Sequence, residues 1–240
     1  MRNDVALQPH RAPRWLAPLV EKLQHDEHRA QARNLLAPRV PQKAGTADEA
    51  AVLILFTGDA DAEHVPDDAH VLITHRTPRM RSHSGQMAFP GGHIDPGDAG
   101  PVDAALREAW EETGLDRARV TPLATLSSVT TGGSGRRVRP VVAYAARPGE
   151  TYVASPFETD DVFFMAVRDL VDPVNRLQVG LGAYAGPAFR TGGYVVWGFT
   201  AALLAVLLEQ AGWACEWDRT LHDLDEVLAR SCNGEPRHSR

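Results

Sequence analysis

Apolar and polar positions along this chain of 240 residues predict many short strands and a few helices. Residues 50–56, AAVLILF, are uniformly apolar, which is typical of a strand that is buried on both faces of a sheet. The same criteria predict the other strands, at 71–75, 120–129, 138–145, 161–167 and, on both sides of a glycine turn, within 184–196.

Helical patterns lie at both ends of the strand-rich region and in its middle. The pattern predicts a helix around 18–36, a short helical turn at 167–170, and helices at 197–210 and 217–230. The most apolar run, 195–208, is too short for a comfortable membrane span and predicts a buried helix. Strands on both sides of a central helix, with a late helix packing back, predict an α+β fold.

The central helix carries three glutamates on one stripe. Glu108, Glu111 and Glu112 stand at i, i+3 and i+4, so on a helix all three lie within about 60° of Glu108. The opposite side is largely apolar, which predicts an amphipathic helix with its acids outward. Two interpretations are open: a solvated acidic face, or oxygen ligands for a hard divalent cation such as Mg²⁺.

The loop before this helix supports the interpretation that the glutamates bind a divalent cation. Gly91 and Gly92 let the backbone turn sharply and approach a ligand closely, and residues 95–98, DPGD, are typical of a turn. The segment resembles the Nudix box, in which a glycine, a spaced acid and Arg-Glu-x-x-Glu-Glu-x-Gly form a loop-helix-loop. The residues that match are Arg107, Glu108, Glu111, Glu112, Gly114 and Leu115.

The segment departs from the general box at two points, and with these departures it resembles the box of one branch of that family, the coenzyme A pyrophosphatases. Asp98 stands where Glu is usual, and the spacer from Asp98 to Arg107 is one residue longer than the general pattern. Residues 72–92, LITHRTPRMRSHSGQMAFPGG, resemble the upstream motif of that branch. Met80 replaces its usual Leu, and His93 replaces the usual Lys or Arg.

The resemblance implies a fold and a division of the chain. The fold would be a Nudix-type α/β/α sandwich with a mixed β-sheet and a loop-helix-loop box. Residues 48–212 would form the Nudix hydrolase domain, 1–47 an N-terminal helical extension, and 213–240 a C-terminal helix and tail.

The resemblance also implies the roles of the acidic cluster. Glu108, Glu111 and Glu112 would hold Mg²⁺ or Mn²⁺, with Glu111, Glu112 and Arg107 as catalytic residues; Arg107 would orient a glutamate by ion pairing. The general base varies in such enzymes, so it is one of these glutamates or a distal acid such as Glu158, whose alternative is an exposed loop carboxylate. Asp98 is either an acid near the metal or a charge favoured by the helix dipole.

Substrate binding is predicted at Arg76, Arg81, Gln86, Gly91, Gly92 and Arg137. Guanidinium groups bind phosphates bidentately, and coenzyme A carries a 3′-phosphate besides its pyrophosphate. Residues 134–140, SGRRVRP, resemble a family segment that includes Arg137. For any one of these arginines the alternative is an ordinary solubilising side chain. Tyr194, Trp197 and Phe199 are expected to pack in the core more than to bind adenine.

Composition limits the partners. The net charge of −6 argues against nucleic acid and anionic membranes, whereas local arginines and a metal still permit a small anionic substrate. Cys215 and Cys232 are the two cysteines of the chain, and this number suits a reducing cytoplasm. We therefore expect a small nucleotide partner of the coenzyme A type; the sequence leaves open whether the protein is a homodimer.

The resulting hypothesis is divalent-metal-dependent hydrolysis of the pyrophosphate bond of coenzyme A or its thioesters. The products would be 3′,5′-ADP and 4′-phosphopantetheine, or its acyl form. The alternatives are another nucleoside diphosphate derivative such as NADH or ADP-ribose, an oxidised nucleotide, or a ligand-sensing module without turnover.

Overall fold

The computed structural model describes residues 4–25, 49–80, 82–131 and 135–237. Its helices are α1 (Ala17–Gln24), α2 (Pro101–Thr113), α3 (Val167–Val171), α4 (Gly198–Ala211) and α5 (Leu224–Leu228). The first strands are β1 (Ala50–Thr57), β2 (His70–Arg76), β3 (Met87–Ala88), β4 (Gly91–His93), β5 (Thr121–Thr125) and β6 (Val129–Thr130). The later strands are β7 (Arg137–Tyr144), β8 (Thr159–Ala166), β9 (Arg176–Leu181), β10 (Tyr184–Thr191), β11 (Tyr194–Val196) and β12 (Leu221–Asp223).

The larger sheet is mixed and has β1 at its centre. Its strand order is β3-β2-β1-β7-β5, with β4 paired to β1, β6 to β7 and β8 to β2. Strand β1 runs parallel to β7, from Ala50 opposite Val138 to Phe56 opposite Tyr144, and the other pairs are antiparallel.

Strand β1 is buried on both faces, as its uninterrupted apolar run predicts. Ile54 and Phe56 belong to one apolar cluster with residues of α1 and α4. Leu53 and Leu55, pointing the other way, belong to a second cluster with residues of α2. Helices therefore cover both faces of the sheet, and the predicted α/β/α sandwich with a mixed sheet is confirmed.

A second sheet, with the order β11-β10-β9-β12, lies beside the first and has its own apolar cluster. The sequence predicted β10 and β11 but missed β9. It was wrong about a helix over 217–230, because residues 221–223 pair with β9 in parallel and only Leu224–Leu228 are helical. The hydrogen bonds of this edge pairing outweigh a weak helical pattern.

Other predicted elements differ mainly in their ends. The helix at 197–210 is confirmed as α4, and the strand at 120–129 is divided into β5 and β6. The helix expected over 18–36 ends at Gln24 as α1, and the rest of that prediction lies largely outside the described residues. The domain limits 48 and 212 stay predictions, although one sheet joins strands on both sides of residue 212. Within the described ranges no helix has the length and apolarity of a membrane span.

Candidate functional site

Helix α2 is fixed at both ends. Gly114 follows it with a φ of +67°, the left-handed conformation that glycine favours. At its start, Gly100 has no side chain that could cap the helix. The carboxylate of Asp4 accepts hydrogen bonds from the backbone N–H groups of Val102 and Asp103 instead, both at 3.0 Å. The N-terminal segment thereby completes the helix that carries the three glutamates.

Arg107 is the centre of a hydrogen-bond network on one side of α2. Its Nε and Nη2 donate to the two carboxylate oxygens of Asp98, at 2.8 and 2.9 Å, in a bidentate pair. Its Nη1 donates to Glu108 and to Glu111, both at 3.0 Å. Its Nη2 also donates to the carbonyl oxygen of His93 at 2.9 Å. Arg107 therefore ties the loop before α2 to the helix itself.

The pair of Arg107 and Asp98 keeps both groups ionised. The hydrogen bond from Arg107 lowers the pKa of the Asp98 carboxyl, although burial acts in the opposite direction. The same hydrogen bond raises the pKa of Arg107. Of the Asp98 side chain only 4% is exposed, so this carboxylate has its charge compensated by Arg107 rather than by water.

Burial dominates around Glu112. This residue is 3% exposed, and burial raises the pKa of its carboxyl to about 8. Arg76 and the backbone N–H of Gly91 act to lower that pKa, and repulsion from Glu108 and Glu158 acts to raise it. The prediction that all three acids face outward is therefore wrong for Glu112. The cause is tertiary packing, because α2 lies against both β1 and β4.

Close backbone approach brings the neighbouring carboxyl groups together. A Cβ on Gly92 would lie 2.5 Å from the Cδ of Glu108, so a larger residue at that position would displace the Glu108 carboxylate. Burial raises the pKa of the Glu108 carboxyl as well. Glu158 lies near enough to raise the pKa of both Glu108 and Glu112 by repulsion. Its backbone carbonyl accepts a hydrogen bond from the N–H of Thr77 at 3.0 Å, which fixes it beside β2.

The three glutamates of α2 share one helix but do not converge on one point. Arg107 holds Glu108 and Glu111, whereas Glu112 interacts with Gly91. Among the residues that the structure describes, no three His, Cys, Asp or Glu side chains form a metal-binding group. The donor set still fits a hard divalent cation, which prefers carboxylate oxygens. A cation would also favour ionisation of the two carboxyls whose pKa burial raises. Their roles as metal ligands stay a prediction.

The predicted substrate-binding residues occupy different parts of the structure. Arg76 ends β2 and acts electrostatically on Glu112, while Gly91 and Gly92 lie in β4 under α2. The side-chain oxygen of Gln86 lies 2.9 Å from Nδ1 of His83. Arg137 begins β7, opposite Thr130 of β6.

Arg81 lies outside the described residues. The aromatic residues expected in the core do pack there: Tyr194 stacks on Phe163 with ring centroids 5.6 Å apart, Trp197 packs edge-on against Tyr184, and Phe199 contacts the main apolar cluster.

Sequence reasoning missed Asp4 and Asp160. Asp4 caps a helix whose first residue is 97 positions further along the chain, and Asp160 pairs with the buried His75. No local pattern marks either residue, because each acquires its role through a contact that only the folded chain creates.

A family model described as "NUDIX domain" matches residues 48–181. The chain belongs to the Nudix family. "Uncharacterized Nudix hydrolase NudL" of Citrobacter koseri is 34% identical over 190 residues, which cover 74% of this chain and 90% of that protein. NudL of Escherichia coli (strain K12) is 33% identical, with the same coverage. The crystal structure of a Nudix hydrolase from M. smegmatis, RenU, is 24% identical; it covers 72% of this chain and 90% of its own, with a TM-score of 0.48.

Residues 107–115 lie inside the matched range, so the loop-helix-loop around α2 is the Nudix box of this chain. The expected enzyme class, a Nudix pyrophosphohydrolase, is confirmed by the family match together with the NudL relatives. Membership in the Nudix family does not by itself select a substrate.

Proposed function

We propose that this Nudix hydrolase cleaves the pyrophosphate bond of coenzyme A or its thioesters. The products would be 3′,5′-ADP and 4′-phosphopantetheine, or its acyl form. The observation that carries the proposal is the position of Arg76. This residue belongs to the upstream motif that resembles the coenzyme A branch, and it acts directly on the pKa of Glu112. This supports a single site to which both the motif and the box contribute.

Glu108, Glu111 and Glu112 are the proposed ligands of Mg²⁺ or Mn²⁺. A divalent cation at this position would supply polarisation of phosphoryl oxygens and neutralisation of the leaving phosphate. Arg107 contributes by orienting Glu108 and Glu111 through its Nη1. Its bidentate pair with Asp98 keeps it from turning toward solvent.

In hydrolysis, a water oxygen bonds to one phosphorus atom while the bridging P–O bond breaks. The leaving phosphate takes the electron pair of that bond, and the water must lose a proton. Glu158 and the box glutamates are the candidate bases. Glu158 is held beside β2 through its backbone and faces Glu108 and Glu112 electrostatically, which supports it as the acceptor of this proton.

We assign substrate binding to Arg76, Arg81, Gln86, Gly91, Gly92 and Arg137. Two phosphate-bearing parts of coenzyme A, its pyrophosphate and its 3′-phosphate, would be bound by separate cationic side chains. Unpaired, exposed cysteines at 215 and 232 support a reducing compartment, and we propose the cytoplasm.

A product screen by mass spectrometry tests the proposal. Purified protein would be incubated with coenzyme A, an acyl-coenzyme A, dephospho-coenzyme A, NADH, ADP-ribose and oxidised nucleotides, with Mg²⁺, Mn²⁺ or chelator. We expect metal-dependent release of 3′,5′-ADP from coenzyme A, and slower turnover of dephospho-coenzyme A. Equal turnover of these two would remove the role of the 3′-phosphate. If only NADH or ADP-ribose is cleaved, that nucleotide is the substrate and the coenzyme A proposal is wrong. Binding without any product would indicate a sensing module.

A further inference from the structure

Residues 231–237, here called the C-terminal strap, lie outside the matched Nudix range and pack against the second sheet. Asn233 is their anchor and is fully buried. Its side-chain oxygen accepts from the N–H of Val195 at 2.8 Å, and its amide nitrogen donates to the carbonyl of Val195 at 2.9 Å. The same nitrogen donates to Glu235 at 2.9 Å, and Trp197 also donates to Glu235. Asn233 thus acts as a strand partner for β11.

The backbone of Asn233 reaches the upstream loop, whose described residues are 77–80 and 82–86. Its carbonyl oxygen lies 2.9 Å from Nε2 of His75, and the same nitrogen lies 3.1 Å from the carbonyl oxygen of Gly85. A Cβ on Gly85, whose φ is +72°, would lie 2.4 Å from the Asn233 oxygen and 2.9 Å from Cγ of Glu235. The strap and the loop therefore touch so closely that only glycine fits at this position.

His75 joins the strap to the catalytic side of the sheet. His75 is 3% exposed. Its Nδ1 lies 2.5 Å from the carboxylate of Asp160 in β8, and its Nε2 lies against the backbone carbonyl oxygens of Asn233 and Gly85. Asp160 stands two residues after Glu158. One buried side chain therefore connects three parts of the molecule: the strap, the end of the upstream loop, and the strand that follows the candidate base.

The base of the upstream loop lies at the carboxylate site. The N–H of Arg76 donates to the carbonyl of Gln86, and the N–H of Gly85 donates to the carbonyl of Arg76, both at 2.9 Å. The next residue, Thr77, donates to the carbonyl of Glu158 at 3.0 Å. A displacement at Gly85 would therefore be transmitted through hydrogen bonds to Arg76, and through the adjacent Thr77 to the backbone of Glu158.

We propose that the C-terminal strap is part of the substrate-binding site, with Asn233 as a positioning residue for the upstream loop. The strap would hold the loop in the conformation that binds the phosphates of a diphosphate-linked nucleotide. The described strap contacts include the loop, His75 of β2, Trp197 and the second sheet, whereas Arg107 and the box glutamates have their own network. The strap therefore acts on substrate binding more than on the chemical step. This inference rests on the proposed function for its substrate.

The test compares Asn233→Ala with Arg237→Ala, an exposed strap residue that serves as the control. Hydrogen exchange of residues 77–86 is measured without substrate, and kcat and KM are measured on whichever nucleotide the wild-type protein cleaves. In Asn233→Ala we expect faster exchange in the loop and a KM about tenfold higher, because a buried hydrogen-bonding group is lost. We expect kcat within about twofold of wild type. Arg237→Ala should match wild type in both measurements.

Gly85→Ala disturbs the same contact from the loop side and keeps the test decisive if Asn233→Ala does not fold. It should raise the KM in the same way and accelerate exchange in residues 231–237. Loop exchange and KM equal to those of Arg237→Ala would overturn the proposal, as would a fall in kcat at constant KM. Hydrogen exchange needs no turnover. If the loop loosens in a protein whose wild type cleaves no pyrophosphate-linked nucleotide, the proposed function fails while the contact stands.

Discussion

The two sides of helix α2 place carboxyl groups in opposite electrostatic environments. On one side, Arg107 lowers the pKa of the Asp98 carboxyl through a bidentate pair, and the same guanidinium donates hydrogen bonds to Glu108 and Glu111. On the other, Glu112 is buried and its pKa rises to about 8, since Arg76 only partly offsets the loss of water. One helix thus provides both a network of anions already paired with Arg107 and a buried carboxyl whose ionisation an additional cation would favour.

Removal of the buried carboxyl should have the largest effect. We expect Glu112→Gln to lower kcat by about 10²- to 10³-fold, the loss typical of removing one charge-stabilising group from an active site. The amide keeps the size of the side chain but cannot become an anion. Steady-state assays with saturating Mn²⁺ measure kcat. Glu150→Gln, on an exposed loop, is the control. Unchanged kcat in Glu112→Gln would remove this residue from the proposed metal site.

Disruption of the paired side should reduce stability. We expect Arg107→Ala to lower the free energy of unfolding by about 3 kcal/mol, because it leaves the buried Asp98 carboxylate without its partner. Arg119→Ala is the matched control. Its pair with Asp116 is about half exposed on both sides, so the expected change is at most about 1 kcal/mol. Denaturant unfolding measures both variants, and equal losses would contradict the special role of Arg107.

The two sides should also differ in their response to pH. The folded protein raises the pKa of Glu112 from 4.5 to about 8, so over this interval it holds a proton that the unfolded chain releases. The stability that this group contributes is fully present below pH 4.5 and is lost as the pH rises through about 8. In chelator, we expect the Tm of wild type to fall across this interval more than that of Glu112→Gln. Parallel curves would show that the pKa of Glu112 is not raised.

The smallest expected effect is at the end of α2, which both sides share. Gly114→Ala places a Cβ at a φ of +67°, where it would also meet the ring of Tyr152 at 2.3 Å. That ring is exposed and can turn away. The remaining cost is that of holding alanine in the left-handed backbone conformation, about 1 kcal/mol. Gly97→Ala, with no neighbouring atom within 4 Å, is the control and should change stability by less than about 0.5 kcal/mol. Thermal unfolding distinguishes them.

Local patterns predicted what local forces determine. The apolar run of β1 and the spacing of the glutamates on α2 were visible in the sequence because strand and helix periodicity fix them. The burial of Glu112 was not visible, since it depends on how α2 meets β4. Strand β12 was missed for a related reason. Its pairing with β9 joins segments about forty residues apart, and such a contact leaves no periodic trace in either segment.

The Asp4 carboxylate at the start of α2 has a practical consequence for work with this protein. A fragment trimmed to the family-matched range would leave the first turn of α2 with uncapped N–H groups, and it would also lack Asn233. We expect such a fragment to be less stable and to bind substrate more weakly than the intact chain, even though it retains every glutamate of the box. Expression trials and crystallisation would therefore do better with both flanking segments retained.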